Sequence, residues 1–69
     1  MVLQRDRTPE REAQAHDRSA DRCERHAVLL ERHGAQRSAQ TERRHAAQER
    51  EAARAARAAR AARRSTVRG

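Results

Sequence analysis

One cysteine and four histidines are the residues of this chain best suited to metal binding or proton transfer, and Cys23 stands three positions before His26. On a helix, side chains at i and i+3 share a face, so this pair has the spacing to join one ion. His33 follows one heptad later. At 1.5 Å rise per residue it lies about 10 Å from His26 on a continuous helix, so the three meet one ion only if the chain breaks or pairs. No metal site and no cofactor is assigned on that basis. Glu12 with His16, and His45 with Glu49, have the i, i+4 spacing of ordinary helix-surface pairs. Catalysis needs a preorganised, water-excluding site. Here there is no glycine-rich phosphate loop, and Cys23 beside His26 is the sole pairing of a nucleophile with a base. The expectation is a non-enzyme without a small-molecule substrate.

Arginine offers the other chemistry. All 17 Lys-plus-Arg positions are arginine, and residues 52–63 read AARAARAARAAR. A step of three residues rotates about 300° on a helix, so Arg54, Arg57, Arg60 and Arg63 wind around roughly half the circumference instead of forming one stripe. A membrane-surface helix needs a bulky apolar face opposite its charges, which alanine does not supply. A slim shaft with arginines reaching in several directions suits phosphate groups. Arg54, Arg57, Arg60, Arg63, Arg64 and Arg68 are therefore the candidate nucleic-acid contacts. The competing reading is a solvated helix face. No aromatic residue is present to stack on bases, so recognition should have low sequence specificity, for DNA or RNA backbone or another polyanion.

The elements that must position these residues are helical. With 69 residues, 35% hydrophobic and mostly alanine, the chain has too few bulky side chains for a globular core. The same composition, charged and poor in bulky residues, also belongs to intrinsically disordered chains. Against disorder stands helix propensity: alanine, arginine, glutamate and glutamine dominate, with two glycines and one proline. Phe, Tyr, Ile, Asn and Lys are absent, which points to guanine- and cytosine-rich coding. That coding favours glycine and proline as much as alanine and arginine, so their scarcity suggests selection for helix.

Thr8 can cap a helix whose first residue is Pro9, with Glu10 and Glu12 near the positive end of its dipole. Arg32, His33 and Gly34 form a stop signal, and Ser38 or Thr41 is expected to cap a restart. One glycine costs only about 1 kcal/mol against alanine, so the helix can also run through. The expected fold class is all-α: an extended long helix from about Pro9 to Arg64, with a break at Gly34 into a helical hairpin as the alternative, no globular core and frayed termini. The organisation along the chain is a disordered segment over 1–8, a charge-balanced helix over 9–34, a basic Ala/Arg-rich helical arm over 35–64 and a disordered tail over 65–69. Residues 1–34 hold seven arginines and seven acids, whereas 35–69 hold ten arginines and three acids and carry the net charge of +7.

Alanine recurs at 13, 20 and 27, then at 39, 46 and 53. Folding back near Gly34 pairs 27 with 39, 20 with 46 and 13 with 53, a register for closely packed antiparallel helices. That register also sets His16 and Cys23 against Arg50 and Arg43, which counts against it. The stripe of Ala20, Cys23, Ala27 and Leu30 is equally a candidate helix-pairing face for a second copy or a partner protein.

The alanine-and-basic composition resembles that of the tails of bacterial nucleoid proteins and linker histones, although lysine is absent and proline appears once. AQTERR, Ala39 to Arg44, resembles the start of the arginine-rich RNA-binding helices of phage antitermination proteins. No base-contact role is carried over from either. The leading functional expectation is low-specificity binding of nucleic acid or another polyanion through the basic arm. The alternatives are a structural or adaptor helix and a reading frame without selected function. The longest apolar run is Ala27 to Leu30, too short for a signal peptide core or a membrane anchor. A lone cysteine fits a reducing compartment, so the expected location is cytoplasmic, at a nucleoid or ribosome. RRSTV near the C-terminus fits a basophilic kinase pattern at Thr66, against the stronger reading of an uncapped, frayed helix end.

Overall fold

The computed structural model describes residues 8–68, with side chains through Ser65. The segment expected to be disordered, 1–8, lies outside the described residues except for Thr8, as do Gly69 and the side chain of Thr66. Two helices, α1 (Pro9–Arg32) and α2 (Gln36–Arg68), pack as an antiparallel hairpin measuring 53 × 30 × 12 Å. The thickness is that of a single helix layer. Of the two forms of the all-α expectation, the chain takes the one broken at Gly34. There is no strand among the described residues, and no described helix is long and apolar enough to cross a membrane.

Helix α1 begins as its sequence dictates. Thr8 is the N-cap, in extended conformation, and its Oγ1 accepts a hydrogen bond of 3.1 Å from the Arg11 N–H. Pro9 takes the first helical position, where a missing N–H is harmless. The helix ends because Gly34 adopts φ +80°, which reverses the chain in a paired-bond cap. The Ala35 N–H donates to the Leu30 carbonyl at 2.8 Å, and the Gly34 N–H donates to the Glu31 carbonyl at 3.0 Å. Nothing lies within 4 Å of where a Gly34 Cβ would sit, so the demand for glycine is purely conformational. Gly34→Ala should accordingly destabilise the hairpin by about 1–2 kcal/mol, the cost of left-handed backbone for a side chain with a Cβ. Asn, which tolerates that region, should lose less. Thermal melts of the two variants test this; equal stability of Gly34→Ala and the parent would contradict the left-handed turn.

The restart differs from expectation. Neither Ser38 nor Thr41 caps α2, because the tight turn starts the helix at Gln36, before either residue. Both fall inside it, and Thr41 Oγ1 donates back to the Arg37 carbonyl at 3.2 Å. The C-terminal boundary moves too, from Arg64 to Arg68. Ser65, Thr66 and Val67 each cost at most about 0.7 kcal/mol of helix propensity, and the next strong breaker is Gly69.

The interface is a seam of small residues. Ala13, Ala20, Ala27, Ala39, Ala46 and Ala53 are 0–1% exposed, and they are the whole buried set among the described residues. Their spacing realises the 27/39, 20/46 and 13/53 register. Six methyl groups contribute only about 5 kcal/mol of burial in all, at about 0.8 each. What they permit is close approach of the two backbones, which brings the flanking charged side chains within reach of one another. The packing has no globular core, as the composition dictates.

Candidate nucleic-acid interface

The intermediate seam positions explain why the hairpin is electrostatically consistent. Moving three residues along α1 from an alanine layer is matched by four residues backwards along antiparallel α2. His16 therefore meets Glu49, with Nδ1 2.6 Å from Oε1, and Cys23 meets Glu42. The expected confrontation of His16 and Cys23 with Arg50 and Arg43 does not occur. Those arginines shift to the flank, where acids await them. His16 thus pairs across the seam with Glu49, in place of its same-helix neighbour Glu12.

Along that flank runs a ladder. Glu10, Asp17, Glu24 and Glu31 repeat every seven residues on α1, and Arg43, Arg50 and Arg57 repeat every seven on α2. Arg43 grips Glu31 with two hydrogen bonds, of 2.5 and 3.1 Å. Arg50 Nη2 lies 2.8 Å from Glu24 and 3.4 Å from Asp21. Arg57 reaches Asp17 at 3.1 Å and Glu10 at 3.3 Å, and Arg60 reaches Glu10 at 3.6 Å. The hydrogen bond from Arg43 holds the Glu31 carboxyl below the usual carboxylate range, and that from Arg57 does the same for Glu10. Each bridge is exposed and individually weak. Together they specify partner, since a row of acids on one helix and a row of arginines on the other disfavour like-with-like pairing.

The candidate contacts therefore separate into three groups. Arg57 and Arg60 are engaged with the acids of α1, and Arg54 pairs with Glu51 on its own helix. Arg63 and Arg64 make no ion pair or side-chain hydrogen bond, and the Arg68 side chain lies outside the description. The register sets Pro9 level with Arg57, so residues 58–68 project about 16 Å beyond it. All described side chains from Ala58 to Ser65 are exposed. The helix-pairing candidates Ala20 and Ala27 are buried inside the chain's own seam, Cys23 and Leu30 are half-buried beside it, and Val28 and Leu29 face outward at 42% and 51% exposure.

Sequence reasoning missed a second set of arginines. With the acids of α1 turned toward α2, Arg11, Arg18, Arg25 and Arg32 are left along its outer edge, all exposed and without ion pairs. Their spacing of seven was legible as a stripe once α1 was known to pair through Ala13, Ala20 and Ala27. Arg22, Arg37 and Arg44 are likewise exposed and unbridged. Among the nine described acids, only Glu12 lacks a basic partner; among the 14 described arginine side chains, nine lack an acidic one. The charge that looks balanced along residues 9–34 is not balanced on the surface.

Cys23 also approaches His45: its sulfur, a Glu42 carboxylate oxygen and a His45 ring nitrogen all lie within 4.8 Å of one another. His33, at the C-cap of α1, is not among them. No family model, curated protein or solved structure matches the chain.

Proposed function

We propose that the hairpin binds nucleic-acid backbone with little sequence preference, as a small cytoplasmic protein of the nucleoid or ribosome. The observation that supports this is the asymmetry of unpaired charge: nine described arginines without an acidic partner against one acid, Glu12. Folding concentrates positive charge outward, because the acids of α1 neutralise Arg43, Arg50, Arg57 and Arg60. Arginine is well suited to phosphate, with its planar fork of donors and permanent charge. The absence of aromatic residues leaves base stacking weak and favours contact with the backbone alone.

The outer edge of α1 and the projecting end of α2 supply the contacts. Each phosphate neutralised on duplex DNA adds about 0.9 to the slope of log affinity against log salt. Four to six arginines, not all seated at once, give an expected slope magnitude of roughly 3 to 5. Titrating the full chain onto DNA or RNA duplexes across a salt series measures it, and scrambling the sequence should change little. Salt-insensitive binding, or none, would overturn the proposal and move attention to Val28 and Leu29 as a protein-contact site at the turn.

A further inference from the structure

On the side of the seam away from the Arg–acid ladder, the hairpin brings two i, i+3 pairs together: Cys23 with His26 on α1 and Glu42 with His45 on α2. The geometry points to a zinc-binding site formed by Cys23, Glu42 and His45, with His26 as the fourth ligand. This inference is independent of the nucleic-acid reading, since it uses no arginine.

The donor set fits that ion. Thiolate and imidazole are borderline-to-soft donors that Mg2+ and Ca2+ do not prefer, and one sulfur, two nitrogens and one carboxylate oxygen make a four-coordinate zinc shell. Bond lengths of about 2.0–2.3 Å place tetrahedral ligand atoms about 3.3–3.8 Å apart. The Cys23, Glu42 and His45 atoms lie within 4.8 Å of one another, and His26 Nδ1 is already 3.3 Å from Glu42 Oε2. Closing the gap among those three takes an ångström or so, whereas His26 lies outside that 4.8 Å group and must swing further to join it. Cys23 and Glu42 are half-buried, whereas His26 and His45 are exposed and free to rotate inward. Each helix contributes two ligands one turn apart, so the ion would clasp α1 to α2 midway along the alanine seam.

The local field favours a cation even though the chain as a whole is basic. Glu42 stands opposite Cys23 and Glu49 adds negative charge from the next layer, against Arg22 beside it on α1, whereas Arg43 and Arg50 turn away to the acids of the ladder. Burial and the neighbouring Glu42 carboxylate push the Cys23 thiol up. On binding, the S–H proton leaves to solvent as the Zn–S bond forms, with no change in oxidation state.

Cobalt(II), which occupies zinc sites and absorbs visibly, provides the test. Titrating Co2+ into the reduced full-length chain should give one ion per chain, a thiolate-to-cobalt charge-transfer band in the near ultraviolet, and the strong visible bands of four-coordinate cobalt. Zn2+ should displace it and raise the melting temperature. Cys23→Ser should abolish the charge-transfer band while keeping the helical circular dichroism of the parent. Glu42→Gln and His45→Gln should each weaken Co2+ binding at least tenfold, and His26→Gln about tenfold. His33→Gln, outside the cluster, should match the parent. A missing charge-transfer band, Zn2+ binding unaffected by Cys23→Ser, or one ion shared between two chains would each overturn the site.

Discussion

Ala46→Asp should open the hairpin, whereas Ala47→Asp, the same change one residue along, should leave it closed. Ala46 is 1% exposed and sits against Ala20, while Ala47 is exposed. A carboxylate at position 46 must either lose its hydration between two backbones or push them apart. Leaving a charge unpaired in the interior costs several kcal/mol, comparable with the roughly 5 kcal/mol that all six alanine methyls contribute. Separation is the easier course. The released helices keep part of their helicity, because their composition favours it, but lose mutual protection. Amide exchange should therefore accelerate through both α1 and α2, and melting should become broad. In Ala47→Asp the exchange pattern should be that of the parent apart from a propensity cost below about 1 kcal/mol. If the two variants behaved alike, the alanine seam would not be what joins the helices.

The same seam marks how far the sequence could be read. Thr8, Pro9 and Gly34 were legible because a cap, a first-turn proline and a left-handed glycine are local requirements, decided within a few residues. The Ala13/53, Ala20/46 and Ala27/39 register was legible as well, because small residues with a common spacing announce close packing. The placement of His16 and Cys23 was not, since it depends on the three-against-four stagger of antiparallel seams. Reading every layer with the alanine pairing sets them opposite Arg50 and Arg43, which counts against the hairpin. With the stagger applied, Glu49 and Glu42 stand opposite, and the acids at 10, 17, 24 and 31 line up beside the arginines at 43, 50 and 57. That charge repeat is visible in the sequence, yet its meaning requires knowing that the chain turns at 34. The caps expected at Ser38 and Thr41 failed for a different reason: the glycine turn needs only His33 to Ala35, so the helix had restarted before either residue was reached.

Replacing Arg11, Arg18, Arg25 and Arg32 together with glutamine should weaken nucleic-acid binding by roughly sixtyfold near 0.1 M salt, with the hairpin intact. The four lie seven residues apart, about 10 Å per step, and drift only about 20° per heptad, so they occupy one edge of α1 over roughly 30 Å. That length is close to one turn of duplex DNA, about 34 Å. The edge can thus meet phosphates on either side of a groove. If two of the four are seated, their loss lowers the salt slope by about 1.8, which near 0.1 M corresponds to the stated drop. Glutamine nearly matches arginine in helix propensity, and none of the four takes part in an ion pair, so melting temperature and helicity should hold. Glutamine at Arg54, Arg57, Arg60 and Arg63 is a poorer test of binding, because Arg57 and Arg60 also hold Glu10 and Asp17 and their removal loosens the hairpin. Arg63→Gln with Arg64→Gln isolates the projecting end, and a slope decrease there of up to about 1.8 would add to that of the edge. Should the α1 edge variant bind with the parent's affinity and slope, the edge would be a solvated face and the interface would belong to the end of α2 alone.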